Sequence, residues 1–119
     1  MPRILVVDDE PLISMMVEDW LTELGCEVVG PVRSVTDGLG FATAAALDGA
    51  ILDIRLGDGD SYPLARVLLR RGIPFAFATG QGDGSLEAEF ENQLVLMKPF
   101  DFASVQHVVG KLLASQVTP

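Results

Sequence analysis

The sequence predicts a doubly wound α/β domain, five parallel strands alternating with five helices, and three features say so. Short apolar runs alternate with longer stretches of helical periodicity. Gly or Pro falls where most of these segments should stop. The 119 residues, 49% of them hydrophobic, suit one well-filled core. We read 1–119 as a single domain with no separate output module.

Ile4 to Val7 is nearly all apolar, as a strand covered on both faces should be. Pro11 suits the first position of a helix, in which Leu12, Ile13, Met16, Val17, Trp20, Leu21 and Leu24 form an apolar stripe until Gly25 ends it. Trp20 and the methionines of that stripe are expected in the core. Glu27 to Pro31 predicts the second strand, and Ser34 followed by Asp37 resembles a capping box that opens a helix reaching Ala46. Gly49 to Asp53 is the third strand. Gly57 to Ser61 reads as a turn-rich loop, followed by a helix with Leu64, Val67 and Leu68 that Gly72 ends. Pro74 to Thr79 is the fourth strand, Gly80 to Gly84 a loop, and Ser85 to Glu91 a short acidic helix. Leu94 to Met97 completes the strands, and Phe102, Val105, Val108, Val109, Leu112 and Leu113 mark the last helix, on which His107 is a half-exposed residue.

Eight Lys and Arg against seventeen Asp and Glu leave a net charge of −9, which argues against binding nucleic acid or anionic membrane surfaces. Cys26 is the sole cysteine, so neither an internal disulfide nor a cysteine metal cluster can form. No apolar stretch approaches the roughly 20 residues of a membrane span, and no signal-peptide core follows Met1. The expected location is the cytoplasm.

Chains of alternating strands and helices join through right-handed crossovers and hold their sites beyond the carboxyl ends of the strands. The polar residues interrupting the apolar runs fall at those ends: Asp8 and Asp9, Asp53, Thr79 and Lys98. Carboxylates crowded together repel, so they bind protons or a cation. All-oxygen donors without Cys or a suitably placed His favour Mg2+. A carboxylate nucleophile, a cation site, a mobile lysine charge and a hydroxyl donor together make a set for carboxylate phosphorylation.

The segments Val6-Val7-Asp8-Asp9-Glu10-Pro11, Leu52-Asp53-Ile54-Arg55, Ala78-Thr79-Gly80 and Lys98-Pro99-Phe100 resemble, in order and spacing, the CheY-like receiver domains of bacterial response regulators. That resemblance spans essentially the whole chain and implies the flavodoxin-like fold of receivers. It implies Asp53 as phosphoacceptor and Asp9, Asp53 and the main-chain carbonyl of Arg55 as Mg2+ ligands. It also implies Asp8 acting through water, Thr79 as switch hydroxyl, Lys98 as phosphate-binding lysine and a cis bond before Pro99. Arg55 and Gln81 take places that tune dephosphorylation. The implied donor is a sensor histidine kinase or a histidine phosphotransfer protein, and the phosphorylated form would act on a downstream protein partner.

Ile73 to Gly80 further resembles the FATGUY subgroup, often single-domain alphaproteobacterial receivers paired with HWE kinases. Here Gln81-Gly82 follows Thr-Gly where that subgroup has a bulky apolar residue and Tyr, and Val95 stands where receivers usually carry an aromatic switch residue. The loop containing Gly80, Gly82 and Gly84 is therefore the expected moving element. Output is expected at the fourth helix, fifth strand and fifth helix, whose Asp83, Glu87, Glu89 and Glu91 suit a basic partner. Two other classes share parts of the pattern. A phosphorylation-independent receiver-like binding module would not need the acids. An aspartate-nucleophile phosphatase would want Asp-x-Asp where this chain has Asp8-Asp9-Glu10.

Overall fold

A computed structural model describes residues 1–80 and 86–114. Five parallel strands form the sheet, β1 (Arg3–Val7), β2 (Glu27–Val32), β3 (Gly49–Asp53), β6 (Phe75–Thr79) and β7 (Leu94–Met97), in the order β2-β1-β3-β6-β7. Between β3 and β6 lies a two-stranded antiparallel hairpin, β4 (Arg55–Leu56) and β5 (Gly59–Asp60). The α-helices are α1 (Pro11–Glu23), α2 (Val35–Ala44), α3 (Tyr62–Arg71) and α4 (Phe102–Ala114).

Successive strand residues point to opposite faces, so the apolar runs feed two cores. Leu5, Val7, Leu52, Phe75 and Phe77 pack toward α2 and α3, where Leu64, Leu68 and Phe90 join them. Ile4, Val6, Ile51, Ala76 and Leu96 face α1 and α4, against Val17, Leu21, Val105 and Leu112. Cys26 is buried in this second core. Two glycines set close approaches. Gly30 has φ +96 where β2 shifts register against β1, and a Cβ there would lie 2.8 Å from Val32 N and 3.1 Å from Val6 O. At Gly38 a Cβ would meet Leu64 Cδ1 at 2.9 Å, so α2 rides directly on α3. Arg71 of α3 in turn closes α2, its guanidinium donating to the carbonyls of Ala42 (2.6 Å) and Ala45 (2.8 Å).

Three expectations are corrected. In the predicted fourth helix, the described residues form only a 3-10 turn, Ala88–Phe90, giving four α-helices among the described residues. Glu87 and Glu91 would repel one turn apart in an α-helix. Instead Arg66 draws in Glu87 (3.2 Å) and Glu89 (2.6 Å), while Phe90 stacks on Tyr62 at 5.2 Å between ring centroids. The loop after Asp53 is the hairpin β4–β5, invisible to periodicity because each strand has two residues. On α1, Leu12 and Met16 do not enter the core: they are 70% and 38% exposed, with Met15 beside them at 60%. Trp20 is half-buried against the second core. Among the described residues no helix is long and apolar enough to cross a membrane.

Candidate functional site

The carboxyl ends of β1, β3, β6 and β7 converge on an open cleft of about 310 Å³ lined by Asp9, Glu10, Asp53, Arg55, Gly80 and Lys98. Asp8 and Asp9 stand there because β1 ends at Val7. The Asp8 N–H still donates to Val32 O (2.9 Å), and its Oδ1 accepts from Glu10 N (2.8 Å), which turns the chain into α1. Ser14 locks that turn, its hydroxyl donating to the carbonyls of Asp8 (3.3 Å) and Glu10 (3.1 Å). Asp53 is the last residue of β3 and is buried, as is Asp8, while Asp9 faces solvent.

Carboxylate oxygens of Asp8, Asp9, Glu10 and Asp53 lie within 4.8 Å of one another. Burial, reinforced by the Asp8 charge and partly offset by Lys98, pushes the Asp53 carboxyl from 3.8 up to about 6. Burial likewise raises Asp8, against the pull of the Glu10 N–H and Lys98. The Lys98 ammonium donates to Glu10 Oε1 (2.9 Å) and Asp53 Oδ2 (3.3 Å) and lies 3.7 Å from Asp8 Oδ2. Burial works against its charge, but these three acids more than offset it and raise its pKa. The backbone N–H of Lys98 donates to Thr79 O (2.7 Å), which fixes the start of its side chain beside the end of β6, and the Lys98–Pro99 bond is cis.

Thr79, buried at the end of β6, donates its hydroxyl to Gly80 O at 3.4 Å. Arg55 reaches the cleft from β4. Gln81, Gly82 and Gly84 lie outside the described residues. Val95 sits on β7 and is partly exposed, with no aromatic ring in its place. The structure thus gathers Asp8, Asp9, Asp53, Arg55, Gly80 and Lys98 at one cleft, and adds Glu10, which sequence reasoning left in its motif without a role. Its signal was there, a third acid in a row directly before the helix-opening Pro11.

A cluster of carboxylates two of which resist ionisation, made only of hard oxygen donors, fits a small divalent cation. The response regulator receiver domain model matches residues 4–109. The chain belongs to that family. As a receiver it is a module of two-component signalling, in which receiver domains bind Mg2+ at an acidic pocket and take phosphoryl groups from histidine kinases.

The receiver is 35% identical over 118 residues to the phyllosphere-induced regulator PhyR of Methylorubrum extorquens, covering 96% of this chain but 44% of PhyR. It therefore spans less than half the length of that relative. The solution structure of SdrG from Sphingomonas melonis superimposes with a TM-score of 0.85 at 43% identity, covering 95% of this chain and 97% of SdrG. The receiver domain of the Pseudomonas aeruginosa sensor histidine kinase PA1611, which holds a magnesium ion in its active-site cleft, matches with a TM-score of 0.79 at 25% identity over 95% of this chain and 98% of that one.

Proposed function

We propose that this receiver accepts a phosphoryl group on Asp53 from a phosphohistidine and so switches a protein-binding surface. The observation that carries the proposal is the buried Asp53 carboxylate with the Lys98 ammonium 3.3 Å away, at the floor of an acid-lined cleft. In this scheme an Asp53 oxygen attacks phosphorus, the bond from phosphorus to the histidine nitrogen breaks, and the imidazole leaves with the electron pair. Lys98, freed from its hold on Glu10 and Asp53, moves onto a phosphoryl oxygen, and Thr79 turns its hydroxyl from Gly80 O to another. Asp9, Asp53 and the Arg55 carbonyl would hold Mg2+, with Asp8 behind them through water. When bound, the ion supplies charge neutralisation among the acids and on the transferred group. Arg55, and Gln81 on its sequence position alone, tune attack of water on the acyl phosphate.

The donor we propose is a sensor histidine kinase of the HWE type or a histidine phosphotransfer protein, in the cytoplasm. The exposed Leu12, Met15 and Met16 of α1, next to the cleft, give such a donor an apolar surface to dock on. An acyl phosphate carries nearly two negative charges where the Asp53 carboxylate carried one, and places them on oxygens that reach further into the cleft, which favours conformers with Thr79 and Lys98 drawn inward. The change is read at the surface formed by the 3-10 turn, β7 and α4, where a downstream protein binds.

Incubation with acetyl phosphate and Mg2+, followed by peptide mass spectrometry, tests the scheme. One phosphoryl group per chain is expected on Asp53, absent without the ion and absent in Asp53→Asn. Label elsewhere, or none, refutes it, and steady turnover of a phosphomonoester would favour a phosphatase instead.

A further inference from the structure

We propose that Asp58 is a positioning residue of the phosphorylation site: from the tip of the β4–β5 hairpin it caps α2 and thereby ties down the arm that carries Arg55. The inference rests on the assignment of Asp53 as phosphoacceptor, since the hairpin begins two residues after it. That hairpin has two rungs, Arg55 opposite Asp60 and Leu56 opposite Gly59, and so short a ladder does not hold its shape unaided. Its base is fixed. Ser61 N donates to Ile54 O (2.9 Å), Tyr62 N donates to Asp60 Oδ1 (3.1 Å), and Leu56 is buried. Its tip, Gly57 and Asp58, is exposed.

The tip meets the fold through the Asp58 carboxylate. Val35 N donates to its Oδ1 (2.9 Å), while Thr36 N and Thr36 Oγ1 donate to its Oδ2 (3.3 Å each). These are the first N–H groups of α2, which an N-cap residue leaves without helical partners. The helix already has a cap of its own, Ser34 Oγ, which accepts from Asp37 N (3.1 Å). The first turn is therefore served twice, once locally and once by a charged side chain more than twenty residues along the chain, at the end of the helix that favours an anion. Because α2 is clamped on α3 through Gly38 and Arg71, the tip is tied to a rigid body. Arg55, at the other end of the same hairpin, lines the cleft with Asp53 and Lys98.

A cap that served only α2 would act as Ser34 does, and this separates the two roles. Asp58→Ala and Ser34→Ala each remove one cap from the same turn, but only the first frees the hairpin. Thermal melts, Mg2+ titration calorimetry and the rate of Asp53 labelling by acetyl phosphate are compared on the full chain. Both variants are expected to melt lower. Asp58→Ala alone weakens Mg2+ binding and slows labelling, by about tenfold, the low end for loss of a partner behind a metal ligand. Asp58→Asn, which keeps an acceptor oxygen for Val35 N, recovers most of that loss. Wild-type metal affinity and labelling rate in Asp58→Ala, or equal losses in Ser34→Ala, overturn the proposal. If the wild type takes no label on Asp53, the phosphoacceptor assignment fails, and the Mg2+ comparison of the two variants still decides whether the tether positions the site. Absence of Mg2+ binding by the wild type sinks both.

Discussion

Replacing Asp53 by Asn is expected to stabilise the metal-free protein, although it removes the residue on which the proposed chemistry turns. Folding moves this carboxyl from its ordinary 3.8 to about 6. Above pH 6 it is therefore ionised in both states but disfavoured in the folded one. At about 1.4 kcal/mol per pH unit, the difference sets a ceiling of about 3 kcal/mol at pH 7, with the attraction of Lys98 already inside that figure. An asparagine amide must still be buried and offers Lys98 only a neutral acceptor, so about 1–3 kcal/mol should be realised, roughly 4–12 °C in Tm for a domain of this size.

The sign with pH is fixed by the raised value. The penalty is complete above about pH 6 and absent below 3.8, where folded and unfolded chains both hold the proton. Wild type should gain on the variant as pH falls from 7 to 4, and the two stability curves should converge. Urea or thermal melts of both proteins in EDTA at pH 7.5, 6 and 4.5 give the comparison. Added Mg2+ should close the gap from the wild-type side, by about 1.4 kcal/mol at ten times its dissociation constant. A variant no more stable than wild type at pH 7.5, or a gap that persists unchanged at pH 4.5, would refute the reasoning.

Protons and metal compete for the same raised carboxyls, so Mg2+ affinity measured by calorimetry should fall below pH 6, approaching about tenfold per pH unit, and a flat profile would contradict it. Phe90 is buried and ringed by Tyr62, Phe75 and Phe77, and Phe90→Ala should cost about 3–5 kcal/mol in urea unfolding. A loss under about 1 kcal/mol would mean the stack does not hold the 3-10 turn in place. Ser61 is fully buried with its hydroxyl unpartnered among the described residues, so Ser61→Ala should leave stability unchanged or raise it by about 1 kcal/mol, and a clear loss would refute the orphaned hydroxyl. Leu12→Glu with Met15→Glu should slow phosphotransfer from a kinase roughly tenfold while acetyl phosphate labels Asp53 at the wild-type rate. Equal slowing of both reactions would remove α1 as the docking surface.

The sheet was legible because its central strands are covered on both faces and leave nearly unbroken apolar runs, Ile4 to Val7 and Phe75 to Ala78. The site was legible for the converse reason: Asp8, Asp53, Thr79 and Lys98 are the polar residues that end those runs, and parallel strands bring their ends together. What escaped had no period to read. The hairpin's two-residue strands carry none, and its bond to α2 joins Asp58 to Val35 across a separation no local pattern spans. On α1 the helical repeat marks an apolar face but not how much of it the domain covers, so Leu12 and Met16 share the stripe and yet stay out of the core. The fourth helix was lost to tertiary pairing, Arg66 and Tyr62 having a stronger claim on Glu87, Glu89 and Phe90 than a helix of like charges had.

The burial that makes Asp53 costly also suits it to its proposed task. A carboxyl with a pKa near 6 is about nine-tenths ionised at pH 7, so little nucleophile is lost to the proton. Its basicity, and with it the reactivity of the free oxygen, is higher than that of a solvated aspartate. Burial deeper than this would leave the residue protonated and inert, and full exposure would leave it ionised but weakly basic. Burial sets the rise, the charge of the neighbouring Asp8 adds to it, and Lys98 pulls the carboxyl back so that the charged form stays within reach of neutral pH. The cleft therefore stabilises neither the protein nor the anion as far as it could, and the shortfall is what a cation entering it would relieve.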